Sequence, residues 1–387
     1  MLWGQIQSDT VESQSEMNHP STSQSMQAED AQSGEVGASA VAIRGPQRSA
    51  KILLLAIVLG LCDQTYWQYS FIDRYQKGYW KTFIDGLGLA PEQYRMGVKM
   101  AAWWMVEHFG WGFRHGFALM DLVSSLIAIF LLYYLLQQRR GVRTASFELQ
   151  WFASAAFITL SCFYLIWVGS YFRPETLPNA GLLASMVWLW SCWDRVRRSR
   201  RVWIAIALTC LAALQGWVRA DVACALFAGF FLACLIRRQP GELRDRGWKL
   251  IVSLLCVGVA GAVQLYIMRV KYPHASYGPI PVLMIRHDLQ QPLALPPFVC
   301  FMVPIAWTYV EFWRNRRRRW VDYTDSGLII ASLIYFVLWI VLGKLDEVRI
   351  FIPFALAMIP LSVDLSLRHI STVRGEALTR TADRNGV

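Results

Sequence analysis

Charge is scarce in this chain. Asp, Glu, Lys and Arg supply 17% of its 387 residues against 55% apolar, a balance too greasy for one soluble domain and suited to a chain held mostly in lipid. No two of the eight cysteines stand in C-x-x-C spacing, and Cys62, Cys162, Cys192, Cys210, Cys224, Cys234, Cys256 and Cys300 all fall within or at the ends of apolar segments. That placement argues against a disulfide framework and against a zinc site. The first 43 residues contain no Lys or Arg, so the basic n-region of a secretory signal peptide is missing. Rich in Ser, Gln and Glu and without hydrophobic periodicity, this stretch cannot offset its own ordering entropy, and residues 1–50 are expected to form a disordered cytoplasmic tail. There is no H-E-x-x-H, P-loop, G-x-S-x-G or glycine-rich dinucleotide turn to support a soluble-enzyme chemistry.

What is present is a succession of apolar runs, near 52–71, 116–137, 149–171, 179–193, 202–217, 220–236, 249–268, 294–312, 327–343 and 349–366. Each approaches the ~20 residues a helix needs to cross a bilayer. The net charge of +11 would fit a nucleic-acid partner if it lay along one polar face, but the basic residues sit in short clusters between the runs. The exits of the second, fourth, sixth, eighth and tenth runs are rich in arginine (Arg139, Arg140 and Arg143; Arg195 to Arg201; Arg237 to Lys249; Arg314 to Arg319; Arg368 onward). The intervening exits are of mixed charge. One orientation satisfies the positive-inside rule at every connection, with both termini in the cytoplasm and about ten spanning helices in an all-α bundle. The expected partner is membrane lipid, and no nucleic acid is expected.

Residues 51–366 then form the membrane domain, 367–387 a short cytoplasmic tail, and 72–115 and 269–293 two large outer loops. In the first loop, Glu92 to Trp111 places Met96, Met100, Trp103, Trp104 and Val106 with polar Arg95, Lys99 and Glu107 at helical spacing, the pattern of an interfacial helix. The second loop is proline-rich and reads as a flap or re-entrant cover.

Ionisable groups at the hydrocarbon edge are costly and so mark candidate sites; here they gather on the outer side. Asp63 and Asp73 each suit a general base toward a hydroxyl acceptor, or, more plainly, a bond to a neighbouring helix for Asp63 and a pair with Arg74 or Lys77 for Asp73. Arg219 and Asp221 share the very short turn between the fifth and sixth runs, where an arginine can grip a phosphate bidentately or the two can simply pair. Asp346, Glu347 and Arg349 open the last run, as a phosphate ligand with its ordering acid or as a cap and anchor. Arg286, His287 and Asp288 stand in the second loop.

This plan resembles the GT-C superfamily of membrane glycosyltransferases that use polyprenyl-phosphate-linked sugars. A cytoplasmic N-terminus and one span lead to a long outer loop with an acid and an interfacial helix, then to a bundle of short-looped spans. EQYRMGVKMAAWW, GWVRADVACAL and LDEVRIFIPFALAMIPL carry the local likeness. Separated Asp63, Asp73 and Asp85 stand where many members have adjacent acids. The resemblance implies transfer of a sugar from a polyprenyl-phosphate carrier to an acceptor on the outer side. Asp73 would be the base, Asp63 the other candidate, and Arg219, Arg349 and Arg286 the phosphate ligands, with Asp221, Glu347 and Arg95 in support. No cofactor is implied; the acids lack recognisable metal spacing, so a divalent metal has no support. Two rivals share the composition: a transporter or flippase for an anionic lipid or solute, and a non-catalytic subunit of an envelope complex. The first needs charges spread across membrane depth and commonly an internal repeat, which is not evident here.

Overall fold

A computed structural model describes residues 23–76, 78–169, 173–236, 243–275, 284, 293, 295–315, 323–344 and 347–384; side chains are described from residue 47 to residue 372 within these, apart from residues 243 and 244. The described residues contain helices and no strands. The chain divides into a unit Met1–Gly45 and a unit Pro46–Val387. Where a disordered tail was expected, residues from Ser23 onward are helical, and the C-terminal tail is likewise helical as far as Arg384.

Among the described residues, eight helices are long and apolar enough to cross a membrane: Gln47–Tyr75, Phe113–Gln138, Phe147–Ile166, Arg198–Ile236, Asp245–Lys271, Leu295–Asn315, Tyr323–Leu342 and Val348–Thr372. The chain is therefore an all-α protein with the features of a multi-pass membrane protein. For reference, α1 is Ser23–Tyr75, α2 Tyr79–Ile84, α3 Gly97–Phe109, α4 Phe113–Gln138, α5 Arg140–Arg143, α6 Phe147–Ile166 and α7 Thr176–Cys192. They are followed by α8 (Arg198–Ile236), α9 (Leu243–Tyr266), α10 (Leu295–Asn315), α11 (Tyr323–Leu342) and α12 (Ile352–Arg384).

The 39 residues of α8 would make a rod of roughly 58 Å if straight. They do not, because Arg219 leaves helical geometry (φ −159°, ψ 90°) and the two arms fold back together. Both arms lie against the same neighbour at matching heights. Near one end of α9, Arg201 pairs with Asp245 at 2.6 Å and Arg246 donates to the carbonyl of Leu235 at 2.9 Å. Further along, Thr209 meets Cys256 and Cys224 meets Val257, while Gly216 lies on Ala260 and Val263 near the reversal. Small residues let these helices approach closely, as membrane bundles require. Gly229 of α8 stands against Gly327 and Ala331 of α11, and Gly181 of α7 against the backbone of Ser124 in α4.

Polar contacts separate into two ends. At one, the arginine-rich turns are tied together: Arg195 bonds Gln138, Gln137 receives Gln47, Arg139 pairs with Asp325, and Lys249 joins Asp194 at 2.7 Å beneath the ring of Tyr323. Asp364, paired with Arg368 at 3.1 Å, closes on Gly141. The opposite end carries α2, α3 and the tip of α8. Between the ends the exposed side chains are mostly large and apolar, among them Leu59, Ile206, Leu254, Val303 and Val337, which is the surface a lipid solvent calls for.

The first outer loop is a built scaffold rather than an open excursion. Buried Gln93 accepts from the amide of Gly88 at 2.8 Å and donates to the carbonyl of Phe83 at 2.9 Å, and a Cβ at Gly88 would fall 2.3 Å from the Gln93 oxygen. The helix predicted within Glu92 to Trp111 is present as a 3-10 turn, Glu92–Tyr94, followed by α3. It stops at Gly110, whose φ of +66° is the left-handed stop that glycine takes without strain. One residue departs from the predicted polar face. Lys99 is buried, and it donates to the carbonyls of Glu92 and Arg95 instead of meeting water. The second loop lies largely outside the described residues. All eight cysteines are free thiols.

Candidate functional site: a charged cluster at one end of the bundle

The cluster begins at the reversal of α8. With no residues to spare between the arms, Arg219 is held inward, 7% exposed, and its guanidinium grips Asp221 through Nε at 3.3 Å and Nη2 at 2.5 Å. Tyr335 of α11 donates its hydroxyl to the same carboxylate at 3.2 Å, and its ring lies 5.9 Å from the Arg219 guanidinium carbon. Asp221 remains open at 41% exposure. Arg349, on the 3-10 turn Val348–Phe351 that leads into α12, reaches back to Glu347 at 2.9 Å and is equally buried. Glu347 precedes that turn without capping it and serves Arg349 instead.

Two further arginines close the group. Arg95 faces Glu175 at 3.7 Å, and Arg173 pairs with Glu92. Glu175 is the pivot: it is buried, sits just ahead of α7, and has Lys99, Arg95 and Arg173 around it. Burial alone would raise its pKa, but those three cations outweigh burial and hold the carboxyl at about 2. For Glu347 burial also acts upward, and Arg349, Arg173 and Arg95 bring it below the ordinary carboxylate value. Lys99 moves the other way; burial lowers it despite Glu175 and Glu92. Arg173, although burial opposes its charge, is raised by Glu92, Glu175, Tyr79 and Glu347. Five cations and four carboxylates from four separate stretches of chain thus share one field. Its distinctive feature is four guanidiniums at one end of an apolar bundle.

Of the residues expected from sequence, Arg219, Arg349, Asp221, Glu347 and Arg95 are brought together here. Asp73 is near but apart. It accepts from the indole of Trp80 at 3.1 Å and has Arg114 and His115 as charged neighbours; Lys77, one of its two expected partners, lies outside the described residues. The neighbouring Tyr79 lies within electrostatic reach of Arg173 and Glu92, so the Tyr79–Trp80 pair connects Asp73 to the edge of the cluster. Asp63 is exposed on the surface of α1 and joins no part of the cluster. Arg286, His287, Asp288 and Asp346 lie outside the described residues. Sequence reasoning missed Glu175, Lys99 as a buried member, and Arg173 as more than a loop charge. The signal for Glu175 was an acid flanked by prolines at the mouth of an apolar run, RPETLPN. No three His, Cys, Asp or Glu residues among those described stand close enough together to hold a metal ion.

No family model, no curated protein and no solved structure matches the chain.

Proposed function

We propose that this chain is a membrane transferase of the GT-C type that holds the phosphate of a polyprenyl-phosphate-linked sugar in the arginine cluster and passes the sugar to an acceptor on that side. The observation that carries the reading is the convergence of Arg219, Arg349, Arg95 and Arg173 where a lipid headgroup would stand. A guanidinium offers five donors in a planar fork, and Asp221 engages only two of those on Arg219. The paired carboxylates preorient the forks, so little rotamer freedom remains to be lost when an anion arrives.

The topology proposed with this function has about ten crossings. The two arms of α8 and the shorter α7 are added to the other long helices, which places every arginine-rich connection on one face, taken as cytoplasmic together with both termini. The membrane is then the plasma (inner) membrane, and the cluster faces outward. In the reaction, the acceptor hydroxyl oxygen bonds to the anomeric carbon, the carbon–oxygen bond to phosphate breaks, and Asp73 takes the hydroxyl proton. The departing phosphate gains negative charge beside fixed guanidiniums, which favours the transition state over the ground state.

Native mass spectrometry of the protein purified in mild detergent tests the reading. Retention of a polyprenyl phosphate or its sugar conjugate, lost in both Arg219→Ala and Arg349→Ala, supports it. Bulk phospholipid alone, unchanged in either variant, rejects it.

A further inference from the structure

A second polar feature lies deeper in the bundle, centred on Asp121 and adjoining the arginine cluster through Glu175. Asp121 is eight residues into α4, roughly 12 Å along the axis from the start of that helix. It is 2% exposed. The hydroxyl of Tyr69 donates to it at 2.7 Å; Thr65, one turn back on α1 and buried nearby, gives its hydroxyl proton to the carbonyl of Cys62 at 3.1 Å. A carboxyl group at such depth is expensive to keep and commonly functional.

The surroundings show how it is reached. Helices α4 and α7 both run from the cluster end toward the arginine-rich end, and Gly181 packs on Ser124. Counting back from that contact brings Asn179 to the level of Asp121 and Glu175 about one turn above it. Glu175 lies within electrostatic reach of both Asp121 and Tyr69. Gln215, from the first arm of α8, bonds Asn179. Around this level, both carboxylate oxygens of Glu175, Nδ2 of Asn179, Oε1 of Gln215 and Oγ of Ser125 are buried with no hydrogen-bond partner among the described residues. So many orphaned groups at one level of an otherwise apolar interior are what internal water satisfies, each molecule making about three hydrogen bonds.

We propose that Asp121 is a proton-binding site of the membrane interior, exchanging its proton with the cluster end of the bundle through water held by Glu175, Asn179 and Gln215. The ligand is the proton itself, taken from water by the carboxylate and returned to it. The titratable groups that face Asp121 are Tyr69 and Cys62 on α1 and Glu175 ahead of α7. Tyr69 is the fixed donor that orients the carboxylate. The site shares Glu175 with the arginine cluster, but its proton-binding group, Asp121, binds no phosphate and belongs to none of the arginine pairs.

The experiment is infrared difference spectroscopy of the full chain in phospholipid nanodiscs while bulk pH is stepped. The expected result is a protonated-carboxyl C=O band that changes with pH, shifts in D2O and is absent from Asp121→Asn. A wild-type spectrum that superimposes on that of Asp121→Asn at every pH, in H2O and D2O, overturns the proposal. If Asp121→Asn does not fold, Tyr69→Phe removes only the donor hydroxyl. A displaced midpoint of the same band then supports the assignment, and an unmoved midpoint overturns it. Lipid retention by native mass spectrometry is read separately, so failure here leaves the phosphate reading intact and the converse also holds.

Discussion

Breaking the Arg219–Asp221 pair from its two sides should cost unequal amounts, and the inequality follows from exposure. Arg219 is 7% exposed and Asp221 41%. In Asp221→Asn the guanidinium stays buried with its charge uncompensated by its nearest partner, a situation that costs about 3–5 kcal/mol when a buried pair is broken. The remaining neutral amide acceptor and the proximity of Glu175 to Arg219 put the expected loss near the lower bound, about 3 kcal/mol. In Arg219→Met the leftover carboxylate reaches water and keeps the Tyr335 hydroxyl, so the loss should be nearer about 1 kcal/mol, as for a solvent-screened pair. The double variant removes both charges and should recover most of what Asp221→Asn loses, leaving a loss of about 1 kcal/mol and a coupling energy of roughly 3 kcal/mol. Equilibrium unfolding in mixed micelles, with all four species measured together, gives the cycle. Equal losses in the two single variants, or a larger loss in Arg219→Met, would refute the reasoning that the buried guanidinium is the group at risk.

Other consequences are equally direct. The Glu175 carboxyl is held at about 2 when folded, below its ordinary unfolded value, so its contribution is fully present above about pH 4.5 and fades as pH falls toward 2; Glu175→Gln should flatten that part of the stability-versus-pH curve. At Gly229, a Cβ would stand 2.4 Å from the Ala331 amide and 2.5 Å from the Gly327 carbonyl, so Gly229→Ala should cost about 1–3 kcal/mol. Gly60→Ala, where nothing lies within 4 Å, should be neutral or stabilising by up to about 1 kcal/mol. Cys210 and Cys300 are exposed on span surfaces, and in intact membranes a membrane-impermeant maleimide should fail to label them because that surface faces lipid. Rapid labelling of either would contradict its place in a span.

The all-α, multi-pass character was legible because lipid imposes one rule on every residue of a span, and ten runs separated by alternating arginine clusters state it repeatedly. The helical hairpin at Arg219 was legible for the same reason: two apolar runs met with almost nothing between them. The cluster was half legible. Arg219 with Asp221, and Glu347 with Arg349, are neighbours in sequence, and their pairing is local. Glu175 was not legible as a centre, because its three cations come from residues 95, 99 and 173 and converge only when α3 packs beside α4 and α8. Lys99 was misplaced because helical spacing gives a face but not what covers it, and here backbone carbonyls of the preceding turn do. Asp121 was overlooked although a lone acid inside FALMDLVSSLIAIF is costly enough to require a partner. Its partner, Tyr69, sits 52 residues away on another helix.

Recognition of a lipid-borne phosphate is the property that sets the arginine cluster apart from a merely structural one. The decisive measurement is a binding titration of the protein in nanodiscs with a short polyprenyl phosphate, run beside the polyprenol of the same chain length. Saturable binding of the phosphate, at least about tenfold tighter than the alcohol and reduced to the level of the alcohol in Arg219→Ala, is the predicted result. Equal affinity for phosphate and alcohol, or phosphate binding unchanged in Arg219→Ala and Arg349→Ala, would contradict it.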